Sequence, residues 1–260
     1  MPRGLSDYDS AVIQGRLWTP DVLRPAGWWD ASDISTMSFV TGVSELRDKS
    51  GNGRHASQST AANQPTLVSV SQNGRSALSF DGSNDTLSLN AAAVTASMAL
   101  AAAVRPAVTG GGTAYRGITA TDTSSSSGSA LYANLGTIGS NPDRWGTWET
   151  NNNSSNSQLQ ANVSYILVMD GLDSGSFWRD GAGDGSYAAT QGQPSLSHIG
   201  GAPGGVPQQQ FNGLIFEVFW IPVALSYVQR VALEGYLSWK WAIPLAASHP
   251  YANRPPLIGD

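Results

Sequence analysis

The stretch Ala77-Leu78-Ser79-Phe80-Asp81-Gly82-Ser83-Asn84-Asp85-Thr86-Leu87-Ser88-Leu89 decides the fold class. Its two halves, residues 77–80 and 86–89, alternate with period two, which sets every second side chain on one face of a sheet. The oxygen-rich centre holds a glycine free to take positive φ, so the whole reads as a β-hairpin. Working outward, residues 97–104 form an apolar run that predicts a strand buried on both faces. Tyr165-Ile166-Leu167-Val168-Met169 ends in Asp170-Gly171, and Phe177-Trp178-Arg179 ends in Asp180-Gly181. The repeated Asp-Gly ending predicts consecutive antiparallel strands.

Residues 214–221 predict a last, central strand. Alternation sets Leu214, Phe216, Val218 and Trp220 on one face and Ile215, Glu217 and Phe219 on the other, so Glu217 needs an internal partner. One helix follows. Ser226 and Gln229 form a capping-box pair, and Val228, Val231, Ala232, Tyr236 and Trp239 make an apolar stripe at helical spacing. Pro244 bars continuation past Ile243. Residues 20–243 are expected to form one sandwich domain, with residues 1–19 an N-terminal arm and residues 244–260 a C-terminal tail.

The chain has 260 residues, no cysteine and a formal charge of −5, with 13% charged residues. Disulfides and thiolate metal sites are therefore absent. Lys49 and Lys240 are its only lysines, and the arginines are scattered singly. That pattern lacks the basic patch a nucleic-acid partner requires. The first residues carry no apolar h-region, and residues 91–104 are too short to span a bilayer, so neither a secretion signal nor membrane insertion is expected. Nine Trp, eight Tyr and six Phe among abundant Gly and Pro fit short strands joined by loops rather than disorder.

An ordered series of motifs then carries a resemblance. Trp29-Asp30-Ala31-Ser32-Asp33 is followed by Arg47-Asp48-Lys49-Ser50-Gly51-Asn52-Gly53, Ala56-Ser57-Gln58, Gln64-Pro65-Thr66-Leu67, Asn73-Gly74-Arg75 and Phe80-Asp81-Gly82-Ser83-Asn84-Asp85. Glu217-Val218, Leu225-Ser226, Glu234-Gly235-Tyr236-Leu237, Trp239-Lys240-Trp241, His249-Pro250-Tyr251 and Pro255-Pro256 close it. The series resembles the laminin-G-like, concanavalin A-type lectin/glucanase domains of bacteriophage virion proteins and some bacterial surface proteins. It covers residues 18–256, and residues 109–162 match poorly.

The resemblance implies an all-β fold, a two-sheet concanavalin A-like jelly-roll sandwich with one C-terminal α-helix. It further implies a non-enzymatic virion structural protein, made in the host cytoplasm and displayed on the capsid or tail surface for decoration, cementing or adhesion. Its partners would be other virion proteins, and it would work as a homo-oligomer, with residues 8–18 as a docking segment. The alternative is a carbohydrate-binding module for host surface glycans, and a third is a polysaccharide-degrading enzyme.

A glycosidase needs two flanking carboxylates, and glucanases of this family carry them as Glu-x-Asp-x-x-Glu. The four glutamates, Glu45, Glu149, Glu217 and Glu234, lack that spacing; after Glu217 the corresponding positions hold Phe219 and Pro222. Internal pairing of Glu217 with an arginine or a backbone donor is the expectation. His55, His198 and His249 flank no Gly-x-Ser-x-Gly elbow. Asp81, Asn84 and Asp85, with Ser83, could gather oxygens around calcium, as could Asp30, Asp33 and Asp48; the same residue types also build turns. Trp145 and Trp148 are the candidate sugar-stacking rings, against the reading that they pack in the core.

Overall fold

In the computed structural model the described residues are 16–93, 98–107, 116–121, 129–133, 144–148, 152–171, 174–188, 195–201 and 210–260. In chain order the first strands are β1 (Gly27–Asp30), β2 (Met37–Phe39), β3 (Val43–Leu46), β4 (Ala56–Ser57), β5 (Thr66–Gln72), β6 (Arg75–Asp81), β7 (Leu87–Ala93) and β8 (Ala99–Pro106). They continue as β9 (Gly117–Thr121), β10 (Ser129–Ala133), β11 (Arg144–Trp148), β12 (Asn152–Gln158), β13 (Tyr165–Asp170), β14 (Ser174–Arg179), β15 (Ala182–Ala188), β16 (Ser195–Ile199) and β17 (Asn212–Ile221). Helix α1 (Tyr227–Trp241) follows and is the single α-helix among the described residues.

The strands form two antiparallel sheets. One runs β15-β14-β13-β8-β17-β6-β5, with β1 added against β17; the other runs β12-β11-β10-β9-β16-β7-β4-β3-β2. The expected two-sheet sandwich with one C-terminal helix is what the chain forms. The core between the sheets joins Leu78, Phe80 and Leu100 of one to Leu87, Leu131 and Leu196 of the other.

The stretch 77–89 is two strands, but not a hairpin. β6 lies in the first sheet and β7 in the second, so the loop 81–85 turns the corner between them. Alternation specifies a half-buried strand and says nothing of its neighbour. The hairpin lies one step earlier: β5 pairs with β6 through Asn73 and Gly74, both at positive φ, the conformation a two-residue Asn-Gly turn demands. The expected succession of β13 and β14 is present, with Leu167 opposite Arg179 and Asp170 opposite Ser176.

Strand β17 is central, and one of its edges is shared. β6 pairs with residues 212–215 and β1 with residues 217–220. A register shift against β8 falls at Phe216, so the simple alternation breaks there. Ile215, Val218 and Trp220 point into the sandwich, while Leu214, Phe216, Phe219 and Ile221 pack on the outer face under α1. A β-bulge does this by inserting one residue that the partner strand does not match.

The capping box of α1 is formed: Ser226 Oγ accepts from the Gln229 amide, and Gln229 returns the bond to the Ser226 amide. The stripe is rotated from expectation. Leu233, Tyr236, Leu237 and Trp241 meet the sheet, and Val231 and Ala232 pack on Tyr251 of the tail. Val228 is exposed and Trp239 half-buried. The sequence stripe was too narrow because the helix is covered on two sides, by the sheet and by residues 244–260. The tail holds through His249 and Tyr251, both buried, and through the bridge of Leu17 to Leu257. No helix among the described residues is long and apolar enough to cross a membrane.

The rotated stripe makes a direct prediction. Leu237→Ala should cost about 2–5 kcal/mol, whereas Val228→Ala should stay within about 0.5 kcal/mol of wild type. Urea unfolding of the two variants measures the difference.

Candidate functional site

Glu217 is fully buried on the outer face of β17, where a carboxylate demands compensation. The bulge turns it toward α1, and β1 sets Asp30 directly opposite it. Lys240, from the last turn of α1, bridges the two: its Nζ lies 2.7 Å from Asp30 Oδ2 and 2.9 Å from Glu217 Oε2. Three ring groups complete the shell. Trp28 Nε1 (2.8 Å) and the Tyr236 hydroxyl (2.9 Å) donate to Glu217 Oε1, and Trp241 Nε1 donates to Oε2 at 2.8 Å. The expected arginine or backbone partner is therefore replaced by a lysine and three aromatic donors.

Lys49 extends the network outward, 3.0 Å from Asp30 Oδ2 and 2.9 Å from Asp33 Oδ2. Both lysines of the chain end here, although 191 positions separate them in sequence numbering, from 49 to 240. Burial alone would raise the Asp30 carboxyl, but Lys240 and Lys49 outweigh it and hold it well below the usual carboxylate range. Burial raises Glu217 above its ordinary value, against the pull of Lys240 and with a further push from Asp30.

The loop 48–54 is tied to the same place. Asp48 accepts from the amides of Trp28, Ser50 and Arg54 and from the Ser50 hydroxyl. Its oxygens are thus committed to shaping the loop. Above this floor the Trp28 ring stacks on Phe219, centroids 5.6 Å apart, and Lys49 Nζ lies 4.9 Å from the Trp28 centroid. Trp28 remains partly exposed.

Two hollows open beside that ring. One of about 240 Å³ is lined by Asp21, Arg24, Pro25, Trp28, Lys49 and Asn52, among others. The second, about 310 Å³, is lined by Trp28, Asp33, Lys49, Arg75, Tyr236 and Lys240, among others. They share Trp28 and Lys49 as lining residues and so adjoin as two parts of one groove. An aromatic face ringed by hydroxyl, amide and charged groups suits a ligand that is apolar on one face and rich in hydroxyls at its edges.

A second buried cluster locks the tail. Glu234 Oε2 accepts from Arg230 at 2.7 Å and lies 3.1 Å from His249 Nε2. The Arg230 guanidinium lies 3.4 Å from the Trp178 centroid. This cluster explains the His-Pro-Tyr motif as a structural one.

Of the sequence-predicted residues, Asp30, Asp33 and Asp48 fall in this network, bound to lysines and backbone amides; the others lie elsewhere. Asp81 and Asp85 are brought together in the corner loop, where Asp81 Oδ1 accepts from the amides of Ser83, Asn84 and Asp85, and Asp85 Oδ2 accepts from the Asp81 amide. Asn84 Nδ2 instead donates to Ala62 O and Asn63 Oδ1. These are turn bonds, and among the described residues no group of three or more His, Asp and Glu is arranged to hold a metal ion. Trp145 is 0% exposed; its Nε1 donates to Asp184 Oδ2 at 2.8 Å and its ring packs edge-on to Phe177. Stacking on a sugar from Trp145 is thereby corrected to core packing, because no face of the ring reaches solvent. Trp148 ends β11, and its side chain lies outside the described residues, as do most of residues 8–18. Trp28, Asn52 and Arg75 were not singled out as a binding site. Asn52 and Arg75 stand among the motif letters and Trp28 just before them, and neither spacing nor alternation joins three segments so far apart.

No family model matches the chain, and no curated protein does. Solved structures share its fold. Domain 4 of AbnA, a GH43 extracellular arabinanase from Geobacillus stearothermophilus, in complex with arabinotriose, aligns at 12% identity and TM-score 0.54, covering 79% of this chain and 95% of that one. Trypanosoma rangeli sialidase in complex with sialic acid aligns at 15% identity and TM-score 0.56, covering 82% of this chain and 33% of that one. An arabinofuranosidase complexed with arabinofuranosyl-α-1,2-xylobiose aligns at 13% identity and TM-score 0.51, over 74% of this chain and 49% of that one. The chain thus spans about a third of the sialidase and half of the arabinofuranosidase. At such identities the likeness establishes the fold. The non-enzymatic expectation is corrected with it: these three similar structures are glycoside hydrolases or parts of them, so the fold gives no ground for excluding an enzyme.

Two outcomes follow from this geometry. Lys240→Met takes the ion-pair partner from buried Glu217 and leaves Asp30 with Lys49 alone, and should cost about 3–5 kcal/mol; adding Glu217→Gln should recover part of it, read by urea unfolding at neutral pH. In the corner loop, burial and then the neighbouring Asp81 raise Asp85 to about 6, from 3.8. The folded state therefore holds that proton more tightly than the unfolded chain, and stability falls as pH rises through that interval. Asp85→Asn should stabilise the protein at pH 7–8 and leave it unchanged near pH 4, measured as urea midpoints across that range.

Proposed function

We propose that this chain is a carbohydrate-binding β-sandwich module whose ligand lies in the groove beside Trp28. The observation that carries the reading is the ring itself: partly exposed, stacked on Phe219 and fixed by its bond to Glu217. A ring held in one orientation by its own fold offers a sugar face a flat platform with little further ordering cost. Hydroxyl partners surround it at Ser50, Asn52, Asp21, Ser32 and Asp33.

The similar arabinanase domain, matched over nearly its whole length, was solved with arabinotriose, and the sialidase and arabinofuranosidase structures also hold sugars. These complexes support the ligand class. The motif series that resembles virion domains supports a finer reading, that the module serves adhesion from a particle surface. That reading shares the glycan chemistry and adds only the place of display.

Calorimetric titration against arabinotriose and a panel of neutral and acidic glycans tests the proposal. Binding at millimolar to micromolar strength is expected, about −4 to −8 kcal/mol. Trp28→Phe, which keeps the stack on Phe219 and shortens the platform, should weaken binding several-fold while the protein stays folded. Silence across the panel, or full affinity in Trp28→Phe, would refute it.

A further inference from the structure

Resting on that carbohydrate reading, we propose that the groove holds two sugar subsites divided by Lys49, and that its ligand is an uncharged oligosaccharide of at least two rings. The division is geometric. Both hollows are bounded by Trp28 and Lys49, and nothing else in their linings is common to the two. The Lys49 ammonium is fixed between Asp30 and Asp33, 4.9 Å from the Trp28 centroid, and so marks the boundary between the two hollows it lines. Burial lowers its affinity for a proton, but Asp30 and Asp33 raise it further, which keeps Lys49 charged and tethered.

Size sets the number of rings. Hollows of about 240 and 310 Å³ fall at or near the lower limit of small-molecule sites, roughly 300–1,000 Å³. Each suits one ring, and neither suits a polymer segment. Each also has its own polar set: Asp21, Arg24, Ser50 and Asn52 on one side, Thr19, Ser32, Asp33 and Arg75 on the other.

Charge sets the ligand class. In the first hollow Asp21 lies with Arg24 and the shared Lys49. In the second, Lys49, Lys240 and Arg75 face Asp30, Asp33 and the underlying Glu217. With the shared Lys49 counted once, Arg24, Lys49, Arg75 and Lys240 are matched by Asp21, Asp30, Asp33 and the buried Glu217, so the groove as a whole presents no surplus cation and a carboxylated sugar would lose hydration without a net gain in ion pairing.

The test is a chain-length series by calorimetry on the whole protein. The probes are arabinose, arabinobiose and arabinotriose, the matching xylo- and cello-oligosaccharides, and oligogalacturonides as the charged counterpart. In whichever neutral series binds, the disaccharide should bind roughly ten-fold tighter than the monosaccharide, and a third ring should add little. Arg75→Gln should bring the disaccharide down to monosaccharide affinity. Thr19→Trp, which fills the second hollow from its rim, should do the same without touching the ion network. Asn52→Ala should weaken mono- and disaccharide alike. Equal affinity for one ring and two, no effect of either second-hollow variant, or preference for oligogalacturonides would overturn the two-subsite proposal while leaving carbohydrate binding intact. No binding in any series would instead bring down the carbohydrate reading and this inference with it.

Discussion

The structure turns on one buried ammonium. Lys240 reaches from the end of α1 to Asp30 on β1 and Glu217 on β17; Asp30 also has Lys49, but Glu217 depends on this ammonium for its counter-charge. Desolvating such groups costs several kcal/mol apiece, and the chain offsets this with charge-assisted bonds from a lysine and ring donors. A bridge of this kind adds little net stability over an apolar core of the same shape. What it does is fix geometry. It accepts one docking angle for the helix, one register for β1 against β17, and one position for the bulge.

That fixed geometry is what makes the groove. Trp28 cannot swing away while its indole N–H is bound to Glu217, and loop 48–54 cannot drift while Asp48 holds the Trp28 amide. Lys49 belongs at once to the network and to the groove, so the binding surface is the exposed rim of the same structure that docks the helix. Change on the rim, at Arg24, Asn52 or Arg75, alters the groove without entering the core.

How much of this the sequence carried depends on the range of each interaction. Strands β8, β13 and β17 were legible because alternation and apolar runs are local, and the capping box because it spans four residues. The corner between β6 and β7 was misread as a hairpin, since the 81–85 loop has hairpin chemistry whichever sheet receives the next strand. The outward turn of Phe216 was hidden in a bulge that leaves no mark on composition. The motif letters around Asp30, Asp48, Lys49, Glu217 and Lys240 were visible, and their meeting was not, because β1 and α1 are joined only through the fold. Trp145 shows the opposite case: a polar neighbourhood in sequence, Arg144 before it and an Asn-rich stretch after, surrounds a ring whose N–H is satisfied inside by Asp184.

The paired carboxylates invite comparison with hydrolases that share the sandwich, and their bonding answers it. Glu217 accepts two bonds at each oxygen, from Trp28 and Tyr236 on one and from Trp241 and Lys240 on the other. Asp30 accepts from the Ser32 amide and hydroxyl on Oδ1 and from both lysines on Oδ2. A general acid or nucleophile needs an oxygen free to meet substrate, and these oxygens are committed to holding the fold. In this chain the two strand carboxylates anchor a helix, and their part in the molecule is set by the bonds around them and not by the sandwich they sit on.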